Sequence, residues 1–250
     1  MSKKTPIKEN LNCVDVSEEV GAISGSRTPT VIAWYKTAKN NLCSAKILFE
    51  NKQYPHSVFF IQQCVECIVK GIFLESGIVS EEKVKDISHN PFKAYKDLYT
   101  KINYKQGLYY CDEFQKRLDT VKSFEDKLKV SAKIANQFTT KYTEDIKIAF
   151  SSTNLPKYEN RQALGLPNHA SELACHLTIL QYLYTQNILL LLSYTFTHNT
   201  EQTARYFTLE NTVIMPDTIY STPIVIESIE TLINLLGAIL RDIVGATNID

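Results

Sequence analysis

Breakers are scarce in this chain: 250 residues hold 8 glycines and 8 prolines. Long stretches without either exclude a protein of many short strands and tight turns, and favour long helices. An excess of charge of one sign is also missing. Lys and Arg total 27, Asp and Glu total 27, and the formal net charge is +0. No global positive field draws in nucleic acid, so any such contact has to come from a local patch. The N-terminus, MSKKTPIKENLN, is basic and polar and lacks an apolar leader core, which makes the cytoplasm the expected location. Six cysteines (Cys13, Cys43, Cys64, Cys67, Cys111, Cys175) are then expected as reduced thiols. Cys64 and Cys67 form a CxxC inside a helical pattern, with no second pair and no paired histidines, so they read as small packing residues rather than a zinc or redox site. No Gly-rich phosphate loop, HExxH, GxSxG or carboxylate cluster at metal-ligand spacing occurs, and neither metal nor cofactor is expected.

What the chain does have is helical periodicity. Residues 1–28 show little of it and read as a flexible N-terminal tail. From Pro29, a helix-start proline, Ile32, Tyr35, Ala38, Leu42, Ala45 and Phe49 recur at three- and four-residue steps to about Asn51. A second helix is expected from Pro55 to Glu75, closed by Ser76-Gly77 with Gly77 in a left-handed cap. Ser88-His89-Asn90-Pro91 opens a third. Tyr104 to Phe150 stays helical but is laced with alternating charges, and 151–169 is a loop holding two prolines. Leu173 to Thr200 carries no Asp, Glu, Lys or Arg, yet Gln181, Gln186 and Asn187 interrupt it and no basic cluster flanks it. It reads as the buried central helix of a bundle rather than a membrane span. Ile224 to Val244 forms the last helix. No strand-period run is long enough for a sheet.

One element carries a recognisable pattern. Within "QYPHSVFFIQQCVECIVKGIF", Gln62, Gln63, Glu66 and Lys70 form a Gln-Gln-x-x-Glu-x-x-x-Lys run. With Ala38, Ala45 and Leu48 before it and "SHNPFKAYKDL" after it, the run resembles HEPN domains, helical bundles associated with nucleotide and RNA biology. Cys64 and Val65 stand where the family has small residues, and Asn90-Pro91 where it has Asp-Leu. The stretch around Arg205 and Tyr206 resembles the Arg-Tyr-Pro element of HEPN proteins that work beside nucleotidyltransferases, with Phe207 in place of the proline. The resemblance implies an all-α, HEPN-like antiparallel helical bundle with extra helices. It spans residues 29–250 as one domain, with an insertion at about 104–170. It also implies a homodimer that binds RNA, a nucleotide or a protein partner such as one of nucleotidyltransferase type, in stress or defence; no membrane partner is expected.

Physically, Gln62, Glu66 and Lys70 fall at i, i+4 and i+8, one stripe along a helix. Glu66 before Lys70 is the favourable order for an ion pair. The stripe is either an exposed or interfacial polar face, or a seam on which Glu66 and Lys70 meet a phosphate or a partner helix. Arg205 and Tyr206 are candidates for a nucleotide or RNA contact, the alternative being that Tyr206 anchors its loop. Many HEPN proteins are metal-independent ribonucleases using an Arg, four to six residues, then a His: the Arg stabilises phosphoryl charge and the His moves the proton of the attacking hydroxyl. That spacing is absent. Arg161 and His169, with seven residues between, come nearest and are the candidate catalytic pair. Otherwise His169 caps a helix beginning near Ala170 and Arg161 is a loop surface residue. The leading expectation is a binding protein with little or no catalysis. The alternatives are a ribonuclease toxin using Arg161 and His169, and a purely structural interaction module. Finally, "KAYKDLYTKINYKQGLYY" interleaves five tyrosines with lysines, which suits either base stacking or packing.

Overall fold

The computed structural model describes residues 27–87, 90–151, 169–196, 208–209, 213–214 and 216–244. Helix α1 (Pro29–Glu50) begins where Thr28 Oγ1 accepts from the Val31 amide at 3.3 Å, with Pro29 in the first turn. After a short turn α2 (Tyr54–Glu75) runs back against it. The two pack closely because small residues line the contact: Ala38 and Ala45 have no exposed surface, and Gly71 lies under the Tyr35 ring. Ser57 Oγ donates to the Ala45 carbonyl at 2.8 Å and pins the start of α2 to α1. Gly77 ends α2 at φ 68, as its sequence context predicts.

Asn90 caps α3 (Pro91–Lys101), its Oδ1 accepting from Lys93 N at 2.9 Å. The charged segment that follows is two helices rather than one, α4 (Lys105–Asp119) and α5 (Phe124–Ser151). The break has a local cause. Ser123 Oγ accepts from the Asp126 amide at 3.1 Å and donates to its carboxylate at 2.8 Å, a Ser-x-x-Asp start signal inside "KSFED". Helix α6 (His169–Thr195) carries the uncharged segment, and Ile188, Leu189, Leu190, Leu191 and Leu192 are all buried in the main core. A two-residue antiparallel ladder, β1 (Thr208–Leu209) with β2 (Val213–Ile214), pairs Thr208 with Ile214. Sequence periodicity did not anticipate it, since two residues per strand leave no period to read. A short α7 (Pro216–Tyr220) leads to α8 (Pro223–Val244). The protein is all-α: helix packing builds the core and the ladder is a local clip.

The expected tail lies outside the described residues except for Arg27 and Thr28, which are anchored. Helices α4 and α5 contribute Cys111, Phe114, Leu118, Leu128 and Ile134 to the same apolar cluster as α1, α2, α6 and α8. Two helices, Tyr54–Glu75 and Pro223–Ile243, are long and apolar enough to cross a membrane by length and composition. In the first, 78% of the apolar window is buried inside the fold, which accounts for its character without lipid.

Candidate functional site

Glu66 and Lys70 are inside the molecule rather than on an exposed stripe. Lys70 Nζ donates to Glu66 Oε1 at 2.6 Å, and each side chain is only 8% exposed. The same ammonium sits 5.1 Å from the centre of the Trp34 ring on α1, a cation–π arrangement that spreads its charge over an apolar face. Gln62 lies one turn earlier and is also buried. Its Oε1, and Nε2 of Gln63, have no hydrogen-bond partner among the described residues. The signature residues therefore form an internal polar seam whose central cation and anion neutralise each other.

The seam affects its neighbours. Burial, and then the adjacent Glu66 carboxylate, push the Cys67 thiol up to about 12, against the opposing pull of Lys70 and of Asn41 Nδ2, 3.7 Å from the sulfur. Cys64 is raised well above the ordinary thiol range, chiefly by burial. Both are free thiols held protonated, so the CxxC packs, as its helical setting suggested. Among the described residues no three His, Cys, Asp or Glu side chains gather into a metal-ligand set.

A second constellation was not foreseen. Arg27 Nε donates to Glu75 Oε1 at 2.5 Å and its Nη2 to the Ile243 carbonyl at 2.7 Å, while Tyr35 OH donates to Glu75 Oε2 at 2.6 Å. The guanidinium also lies 5.3 Å from the Tyr35 ring centre. This clamp ties the chain before α1 to the ends of α2 and α8, beside a cavity of about 340 Å³ reaching Gln186 and Asp242. Arg27 gives no sequence signal, because its partners are 48 and 216 positions away. A third feature, also unforeseen, is an open groove of about 630 Å³ between α5 and α8, with Lys129, Lys133 and Lys141 along one wall.

The remaining candidates divide. Arg161, Arg205 and Tyr206 lie outside the described residues. His169 is the first residue of α6, a helix-start position. The tyrosines of the "KAYKDLYTKINYKQGLYY" stretch mostly pack: Tyr95 and Tyr99 are buried, and Tyr95 stacks edge-on against Phe73 at 4.8 Å. Tyr99 meets Tyr104, and Tyr110 meets Phe114 and Phe138. Tyr109 is exposed.

The α1–α2 pair, the capped third helix and the internal Gln-Gln-Glu-Lys seam all fall in one stretch of the chain. Residues 31–99 match the model of the HEPN domain family. A protein of Methanocaldococcus jannaschii named a "putative toxin" is 41% identical over 49 residues, covering 20% of this chain and 32% of that protein. This chain thus spans about a third of the length of that relative. No solved structure matches the chain at a significant level.

Proposed function

We propose that this protein is a HEPN-type protein that binds RNA and does not cleave it. The observation that carries this reading is the Glu66–Lys70 pair. The one cation of the signature motif is held 2.6 Å from a carboxylate and covered by the fold, so it stabilises the bundle and offers no open phosphate site. Recognition then falls to the outer helices. The sequence supports the loss of cleavage, since no arginine is followed by a histidine after four to six residues. We also propose that the protein works as a homodimer, and that Arg205 and Tyr206 contact a nucleotide or a nucleotidyltransferase-type partner.

The test is incubation of purified protein with mixed single-stranded RNA in the presence of a chelator. RNA retained in complex and recovered at full length supports the proposal. Metal-independent cleavage that disappears in His169→Ala, with fold intact, would overturn it. Such a result would install the second reading, a ribonuclease toxin with Arg161 and His169 in the catalytic roles. Two observations favour that alternative: the relative is named a toxin, and His169 heads a long helix.

A further inference from the structure

We infer that the groove between α5 and α8 is the track along which a single RNA strand lies, its phosphates on α5 and its bases toward the floor and α8. This inference rests on the RNA-binding reading above and gives it a location, outside the stretch that matches the family model.

The geometry begins with spacing. Lys129, Lys133, Gln137 and Lys141 follow one another at four-residue steps on α5, and all four line the groove. Four residues of α-helix rise about 6 Å, comparable to the phosphate-to-phosphate step of an extended strand. The ladder therefore offers one donor per nucleotide over about 18 Å. All four side chains are exposed. Among the described residues the side chains of Lys129, Lys133 and Gln137 make no hydrogen bond or ion pair, whereas Lys141 reaches Asp145 at 3.2 Å. Other polar groups of the α5–α6 contact are paired, as in Tyr184 to Asp145 at 2.6 Å and Ser131 to Thr195 at 2.6 Å. Three of the four ladder side chains, Lys129, Lys133 and Gln137, are left without a partner among the described residues.

Charge decides which polyanion fits. Three lysines share the groove with two carboxylates, Glu144 and Glu227. Those carboxylates repel a bare polyanion such as polyphosphate. A nucleic acid strand presents amino groups on its base edges as well as phosphates, and a carboxylate accepts from them. Asn136 on α5 and Thr231 on α8 add amide and hydroxyl partners of the same kind. A mixed wall of this sort selects a strand with bases over a featureless chain of phosphates.

The experiment measures fluorescence anisotropy of a labelled single-stranded RNA 12-mer against the full chain at several salt concentrations. The comparison is between the native protein, the Lys129→Glu/Lys133→Glu variant, and a Lys83→Glu/Lys85→Glu control with the same charge change on exposed residues outside both the groove and the tyrosine-lysine stretch. We expect the groove variant to lose about tenfold or more in affinity, and its log–log salt slope to flatten by about 1.4, two contacts of about 0.7 each. The control should stay within about twofold. If the reversal impairs folding, Lys129→Gln/Lys133→Gln keeps the helix and should show the same flattening. Native binding that is equally strong in groove variant and control overturns the groove and leaves the RNA reading standing. Competition by polyphosphate as strong as by unlabelled RNA also overturns it, because the site would then be a general anion surface. No RNA binding by the native protein overturns both.

Discussion

At the scale of single residues, the pair in the signature helix matters most. An exposed i,i+4 pair contributes about 0.2–0.5 kcal/mol. Removing one partner of a buried pair costs about 3–5 kcal/mol, because the other charge is left without compensation. Glu66→Gln should therefore lower stability by about 3 kcal/mol, read in urea melts on the fluorescence of Trp34, the only tryptophan. Glu66→Leu/Lys70→Met should recover most of that loss, since an apolar pair of similar volume removes both charges. A single variant no less stable than the native protein would show the pair to be more open to water than its 8% exposures imply. The pH response follows from groups held neutral. Cys67 is pushed up to about 12, and burial raises Tyr35, Tyr95 and Tyr99 from their ordinary values. A raised folded-state value stabilises fully below the unfolded-state value and loses that contribution as pH climbs toward the folded one. For the Cys67 thiol the window runs from about 9 to about 12. The urea midpoint should stay flat across neutral pH and fall through that window, and Cys67→Ser should reduce the fall.

At the scale of elements, close approach of α1 and α2 sets what can be changed. A Cβ on Gly71 would stand 2.5 Å from the Tyr35 ring. Gly71→Ala should cost about 1–3 kcal/mol despite alanine's better helix propensity, whereas a Cβ at Gly77 meets nothing within 4 Å and bears only the strain of φ 68. Thermal melts of the two variants separate packing from backbone conformation, and a Gly71→Ala protein as stable as the native one would contradict the tight α1–α2 contact. These helices, with the Asn90 cap and the Gly77 stop, were legible because their signals are local: three- and four-residue periodicity, a proline in the first turn, a glycine after the last. The break between α4 and α5 was written in the Ser123-x-x-Asp126 box but masked by continuous charge patterning on both sides. The burial of Glu66 and Lys70 was not legible. Periodicity gives a stripe's direction, and only the packed neighbours say whether that direction faces water. The Arg27–Glu75–Tyr35 clamp was hidden for a related reason, since it joins residues far apart in the chain.

At the scale of the whole molecule, the helices of the stretch that matches the HEPN model pack into one core with those beyond residue 99, and α5 and α8 leave an open groove between them. The apolar cluster runs through both, and Leu128, Ile134 and Ala135 anchor α5 to it. The family resemblance is read in the signature helix, whereas the groove proposed for RNA lies elsewhere, on helices that carry no motif. The claim that joins these scales is that the protein holds RNA and leaves it intact. The most direct measurement takes one equilibrated mixture of the native protein and labelled single-stranded RNA, with chelator. Anisotropy is read first, and the same sample is then run on a denaturing gel. Saturable binding with all the RNA recovered at full length is the predicted result. Cleavage products, or no anisotropy change at protein concentrations well above the micromolar range, would contradict it.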